Sequence, residues 1–207
     1  MSISVHSRQA VKGSGCAFFI VFLCVVFLLP VAAQTSNFTD PRDNKTYSTV
    51  RIGNRTWMAE NLNFRMDESW CYENDESNCQ KYGRLYTWGV YGAFKACPSG
   101  WRLPSDIELD NLVKVVGGKK VAGKKLKSKT DWNGTDDFGF SALPGGSRWH
   151  DGSFLEIGDK GKGHWWSATQ SGDHEFAYYL NMSSGHENAV VSRSRKSRGF
   201  SVRCLQE

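Results

Sequence analysis

The 207-residue chain has no C-x2-C pair and no H-x3-H pair. Those spacings bring two ligands to one zinc ion, so no zinc site is expected. The motif G-x-S-x-G is missing as well. Around Ser141 the chain reads GFSALPGG, with Leu143 where the second glycine would stand, so there is no nucleophile elbow. The glycines of LPGGSR lack the Lys-Ser/Thr pair that grips a nucleotide phosphate, which excludes a P-loop. His150, His164, His174 and His186 are scattered through polar segments, at no spacing that pairs a base with a nucleophile. No catalytic residue and no organic cofactor is therefore expected. The longest apolar run, CAFFIVFLCVVFLLPV, is 16 residues, short of the ~20 that span a bilayer.

That run has another reading. MSISVHSRQAVKGSG precedes it with Arg8 and Lys12 and no acid, and Val31 and Ala33 follow as small residues. Basic end, apolar centre and small-residue site make up a secretory signal, cut after Ala33. Leu23 before Cys24 is too bulky for a lipid-attachment site. Residues 1–33 are thus assigned to a signal peptide, 34–44 to a polar leader and 45–207 to one domain. The expected location is secreted, periplasmic or cell-surface. The membrane would meet the chain only through the signal. Without Arg8 and Lys12 the formal charge falls from +5 to +3. That is too mild to argue for nucleic acid. The basic runs GGKKVAGKKLKSK (117–129) and RSRKSR (193–198) are read as solvated loop and strand faces.

Four cysteines remain in the mature chain: Cys71, Cys79, Cys97 and Cys204. An even count in an exported protein implies disulfides, and four cysteines permit three connectivities. Cys71 and Cys79 lie eight apart, so a local loop is natural. That leaves Cys97 with Cys204.

STVRIGNRTWMAENL (48–62) predicts a β-hairpin. Val50 and Ile52 alternate, and Gly53-Asn54 tolerates the positive φ of a tight turn. After Pro104, Ser105 and Glu108 form an S-x-x-E capping box. Leu109, Leu112, Val113 and Val116 then repeat at helical spacing, and Gly117-Gly118 ends the helix. HWWSATQ, EFAYYLN, NAVVSRS and GFSVRCL follow as short strands of an antiparallel meander. Hairpin, helix, then strands means α+β.

WCYENDESNCQKYGRLYTW, CPSGWRLPSDIELDNL, AGKKLKSKTDWNGTDDFGFSALPGGSR, WWSAT and GFSVRC together resemble the Fibrobacter succinogenes major paralogous domain, from about Asp43 to Cys204. The resemblance implies an exported bacterial protein with a C-type lectin-like fold. That fold would have short antiparallel strands, one or two helices and a disulfide staple, with Cys97–Cys204 as the long bridge to the final strand. It implies no reaction, although formylglycine-generating enzymes are distant relatives in fold. Those need a reactive cysteine pair. The calcium tripeptides of sugar-binding lectins are missing. DWNGTDD has Trp132-Asn133 but Gly134 where aspartate would follow.

Two candidate sites remain. Asp131, Asn133, Asp136 and Asp137 crowd one turn-rich segment, and their oxygens could ligate calcium. Such residues also close turns on their own backbone. The eight tryptophans offer flat faces for sugar rings. Trp57, Trp88 and Trp101 sit in ordered motifs and are expected in the core. Trp149, beside Asp151, and one of Trp165 and Trp166 are the ligand candidates, since neighbours on a strand point to opposite faces. The function expected is a non-catalytic module that binds polysaccharide or a cell-surface partner. The alternatives are a protein–protein display scaffold and, after it, an enzyme related to the formylglycine-generating oxidoreductases.

Overall fold

The computed structural model describes residues 35–207. The expected signal peptide lies outside the described residues. The hairpin forms as β2 (Thr46–Ile52) and β3 (Arg55–Met58), turning at Gly53 with φ 62°. Part of the expected polar leader is β1 (Thr35–Thr39), the edge strand paired in register with β2. At its end Asp40 is buried, and the Arg42 guanidinium clamps its carboxylate.

The remaining members of this sheet come from far along the chain. β6 (Trp101–Arg102) and β12 (Leu205–Gln206) complete a five-stranded sheet in the order β1-β2-β3-β12-β6. The capping box starts α3 (Asp106–Val115): Ser105 Oγ accepts from the Glu108 amide at 3.2 Å, and a Glu108 carboxylate oxygen accepts from the Ser105 amide at 2.9 Å. Leu109, Leu112 and Val113 form its buried stripe, with Val116 just beyond. The first basic run is a helix rather than a loop, α4 (Lys119–Leu126), burying Ala122 and Leu126 and turning its lysines outward. Two shorter helices, α1 (Glu76–Tyr82) and α2 (Ala93–Ala96), lie in the irregular first half. The helix count therefore exceeds the one or two expected, and the architecture is α+β with mainly antiparallel strands.

Three strands of the expected meander form: β9 (Lys162–Gln170), β10 (Phe176–Ser183) and β11 (Ala189–Arg195), in the order β11-β10-β9. The fourth does not join them as a strand. Residues 200–204 cross the domain through single bridges before β12. Two small pairs finish the fold, β4 (Ser69–Trp70) with β5 (Leu85–Tyr86) and β7 (Gly145–Arg148) with β8 (Phe154–Ile157).

There are two apolar cores, one on each side of β9. The first gathers Ile52, Trp57, Leu112, Leu126, Trp132 and Trp165. The second gathers Tyr47, Met58, Tyr86, Trp101, Trp166 and Phe200. The C-terminal segment feeds both, with Phe200, Val202 and Cys204 in the second and Leu205 in the first. Both disulfides form, Cys71–Cys79 and Cys97–Cys204. Bonds of this kind persist in an oxidising compartment, outside the reducing cytoplasm. Among the described residues, no helix is long and apolar enough to cross a membrane.

Candidate functional site

Trp165 and Trp166 do point to opposite faces of β9, as alternation requires. Neither face is open, because each is covered by a core, so both indoles are buried. Trp165 Nε1 donates to Asn61 Oδ1 and Trp166 Nε1 to the Tyr86 carbonyl, each at 2.8 Å. A buried tryptophan hides ~150–250 Å². At ~25 cal/mol per Å², exposing one would cost about 4–6 kcal/mol. These two ligand candidates are corrected to core residues.

The aspartate segment folds back on itself. Asp136 accepts from the Ser141 amide at 2.7 Å and the Ser141 hydroxyl at 2.6 Å. Asp131 accepts from the Thr130 hydroxyl at 2.6 Å. Asn133 lends its carbonyl to Lys124 Nζ, and Asp137 is exposed. The carboxylates of Asp131, Asp136 and Asp137 do not converge. Among the described residues, the metal-type side chains that do are Cys71, Glu76 and Cys79, and both cysteines are oxidised.

Asp151 is exposed and closes its own turn on Ser153, at 3.0 Å to the amide and 2.7 Å to the hydroxyl. These bonds hold its carboxyl below the usual range. Trp149 is half-buried, with the Arg198 guanidinium over its ring at 3.8 Å. The second basic run is laid on aromatic rings: Arg195 over Phe176, Lys196 over Trp88 at 4.2 Å, and Arg198 over Trp149.

A concavity lies on the small sheets to which this stripe leads. β4 pairs with β5, Tyr86 bridges to Phe200, and Gly199 bridges to Arg148 of β7. Trp70 and Arg148 thus lie on one small sheet with Gly199 between them. A Cβ on Gly199 would sit 3.0 Å from the Arg148 Cβ and 3.4 Å from the Leu85 Cβ. Lacking one, Gly199 lets the Arg148 side chain cross and set its guanidinium 4.1 Å from the centre of the Trp70 ring. Trp70 is half-buried and faces a groove of about 640 Å³, within the usual range of ligand clefts.

Arg65, Asp67, Ser69, Asn74, Glu76 and Arg84 line the rest of the groove, and Cys71 of the short disulfide forms part of its wall. Asp75 caps α1 through the Ser77 amide, while Glu73 and Asn74 adopt left-handed φ of 54° and 58° inside the disulfide loop. The Cys71–Cys79 bond closes the loop that carries these conformations. Arg84 is buried, donates to Ser69 Oγ at 3.2 Å, and lies 3.5 Å from the exposed Glu76 carboxylate. At the rim, the Tyr91 carbonyl accepts from the Glu68 amide, and the Tyr91 ring is 66% exposed.

Trp70 and Arg148 were not distinguished in the sequence. Trp70 is one of eight tryptophans, and Arg148 precedes the candidate Trp149. The signal that marks them is Gly199, and Arg148 and Trp70 lie 51 and 129 residues from it in sequence.

Away from the groove, the side chains of Arg203, Lys127 and His164 are buried, as that of Asp40 is. Arg203 donates to Asn61 Oδ1 and to the carbonyls of Phe140 and Ser141, and burial brings its pKa down to about 9. Lys127 Nζ donates to the carbonyls of Ser183 and His186. The His164 ring stacks on Phe200, and burial pushes its pKa down despite Glu156 at 3.2 Å.

The family model described as the Fibrobacter succinogenes major domain matches residues 50–206. No curated protein and no solved structure matches the chain. The match takes in both disulfides, the capped helix, the meander and the whole of the groove wall from Arg65 to Arg84, and so the chain belongs to the Fibrobacter succinogenes major domain family.

Proposed function

We propose that this domain is an exported, non-catalytic module on a C-type lectin-like scaffold that binds a polysaccharide chain in the groove at Trp70. One observation carries this reading. A half-buried indole, held flat by Arg148, faces a polar groove of about 640 Å³ with hydroxyl, amide, carboxylate and guanidinium groups around it. Sugars ask for this combination: an aromatic face for ring C–H groups and polar edges for hydroxyls. The non-catalytic part draws support from the cysteines. All four among the described residues are in disulfides, so a mechanism that needs a free thiol pair has none here.

Affinity electrophoresis through gels cast with soluble polysaccharides, neutral and acidic, tests the proposal. The protein should be retarded by at least one polymer, and Trp70→Ala should weaken that binding more than tenfold, about 1.4 kcal/mol. Equal retardation of wild type and Trp70→Ala would refute the assigned site. Migration unaffected by every polymer would refute polysaccharide binding.

A further inference from the structure

We infer that the protein has a second site, where Lys127, Lys124 and His186 hold a small tetrahedral oxyanion of the phosphate type, free in solution or carried as an ester on a glycan. The site is independent of the groove at Trp70.

Lys127 is the one buried lysine among the described residues. Lys81, Lys114 and Lys162 reach water, and each also faces an acid, Asp131, Asp110 and Glu156 in turn. Lys127 makes no ion pair among the described residues. Its Nζ donates to the Ser183 and His186 carbonyls, each at 2.9 Å, which uses two of its three N–H groups. Carbonyls satisfy hydrogen bonds but leave the net charge unbalanced, and a buried charge without a counter-charge is costly. Burial pushes the ammonium pKa down, Lys124 pushes it further down, and Glu187 offsets only part of this. Arg203 is also buried without an acid, but its acceptors on Asn61, Phe140 and Ser141 enclose it. Lys127 instead borders a cavity of about 170 Å³.

Lys124, Asn133, Ser184, His186 and Glu187 line the rest of this cavity. Two lysines thus stand against one carboxylate, and Glu187 makes no ion pair with either among the described residues. The groove at Trp70 differs, since Asp67 and Glu76 there match Arg65 and Arg84. Several donors are available. Lys124 Nζ reaches only the Asn133 carbonyl, at 3.3 Å. His186 spends Nδ1 on the Ser183 hydroxyl at 3.0 Å, and its Nε2 makes no hydrogen bond among the described residues. The backbone holds these groups in place. The Lys124 amide donates to the Glu187 carbonyl at 2.9 Å, and a Cβ on Gly123 would sit 2.2 Å from the Asn188 carbonyl oxygen, so the end of α4 lies directly on the 187–188 backbone. Size and shape select the ligand. The cavity is below the ~300–1,000 Å³ of clefts that take organic molecules, so it suits an ion or one pendant group rather than a sugar ring. Its donors are separate points on two segments. They suit oxygens that project in several directions, whereas the planar fork that matches a carboxylate belongs to arginine, and none lines the cavity.

The test is a titration of the whole protein followed by backbone amide NMR. Sodium phosphate replaces sodium chloride at constant pH and ionic strength. The amides of Lys124, Lys127 and residues 184–187 should shift together and saturate, while those of Ser69, Trp70 and Cys71 stay in place. Glucose 6-phosphate, set against glucose, separates the two sources. Binding tenfold or more tighter than inorganic phosphate assigns the ester, and equal or weaker binding assigns the free ion. Lys124→Gln leaves both Lys127 bonds intact and should weaken phosphate binding tenfold or more, whereas Lys127→Met would also release the turn. No saturable shift with either phosphate, acetate binding as tightly as phosphate, or unchanged affinity in Lys124→Gln would each overturn the inference. None of these results bears on polysaccharide binding at Trp70.

Discussion

Replacing Cys97 and Cys204 together by alanine should remove more stability than any other pair of substitutions of that size in this protein. The bond closes a loop of 107 residues, whereas Cys71–Cys79 closes one of 8. Chain-entropy reasoning gives about 4.8 kcal/mol for the long loop and about 2.5 kcal/mol for the short one at 25 °C. Cys204 also lies in the second core, so trimming its sulfur adds about 1 kcal/mol of lost packing. The expected losses are about 5–6 kcal/mol for C97A/C204A and about 2–3 kcal/mol for C71A/C79A. Domains of this kind hold ~5–15 kcal/mol in all, so the first variant should be marginal. Urea unfolding followed by tryptophan fluorescence measures both. With a slope of ~2 kcal/mol per molar, the midpoints should fall by about 2.5 M and 1.2 M. The slope itself should rise in C97A/C204A, because the freed unfolded chain exposes more surface. Polysaccharide binding should respond in the opposite order: C71A/C79A loses the groove wall, while C97A/C204A retains binding wherever it is still folded. Equal losses from the two variants, or a larger loss from the short loop, would refute the entropic argument.

Other perturbations follow from single contacts. Arg102 grips Glu108 with two bonds of 2.6 and 2.7 Å and, against burial, brings its pKa from 4.5 to about 2. The folded state then binds fewer protons than the unfolded one. This stabilisation is complete above pH 4.5, declines as the pH falls, and is gone below about 2. At ~1.4 kcal/mol per tenfold it amounts to about 3 kcal/mol, reduced to about 2 by water at Arg102. Glu108→Gln should flatten the acid limb of stability against pH between 5 and 2; an unchanged limb would contradict the assignment. Gly163→Ala would put a Cβ 2.2 Å from the Trp165 ring, and overpacking of that kind should lower stability by about 1–3 kcal/mol in thermal melts. Lys127→Met leaves the Ser183 and His186 carbonyls without their donor, so amide exchange across residues 183–187 should accelerate while exchange in β9 stays slow.

What the sequence shows of this fold is what local chemistry decides. The Gly53-Asn54 turn, the Ser105–Glu108 box and the spacing of β9 to β11 each work within about ten residues, and each forms as the residues suggest. β1 is hidden because TSNFT carries one apolar residue, Phe38, among four polar ones, as an edge strand in water can. The helix at Lys119–Leu126 is hidden by its lysines, which obscure a short buried stripe of Ala122 and Leu126. The ligand face is misjudged for a different reason. Alternation tells that Trp165 and Trp166 diverge, but not that a core waits on either side. Trp70, Arg148 and Gly199 meet only after three distant segments pair, so no local pattern announces them. Arg203 is equally silent, since a cation between Val202 and Cys204 looks like the solvent side of a strand until Asn61, Phe140 and Ser141 enclose it.

β12 lies between β3 and β6, inside the sheet rather than at its edge, and the crossing segment before it supplies residues to both cores. The segment from Phe200 to Leu205 is therefore the one that completes the domain. Until Leu205 arrives, β3 has an open flank, neither core is filled, and Cys97 has no thiol to meet. One short segment thus ties the two cores and the sheet into a single cooperative unit. Closure of the sheet and oxidation of Cys97 come together when this segment docks.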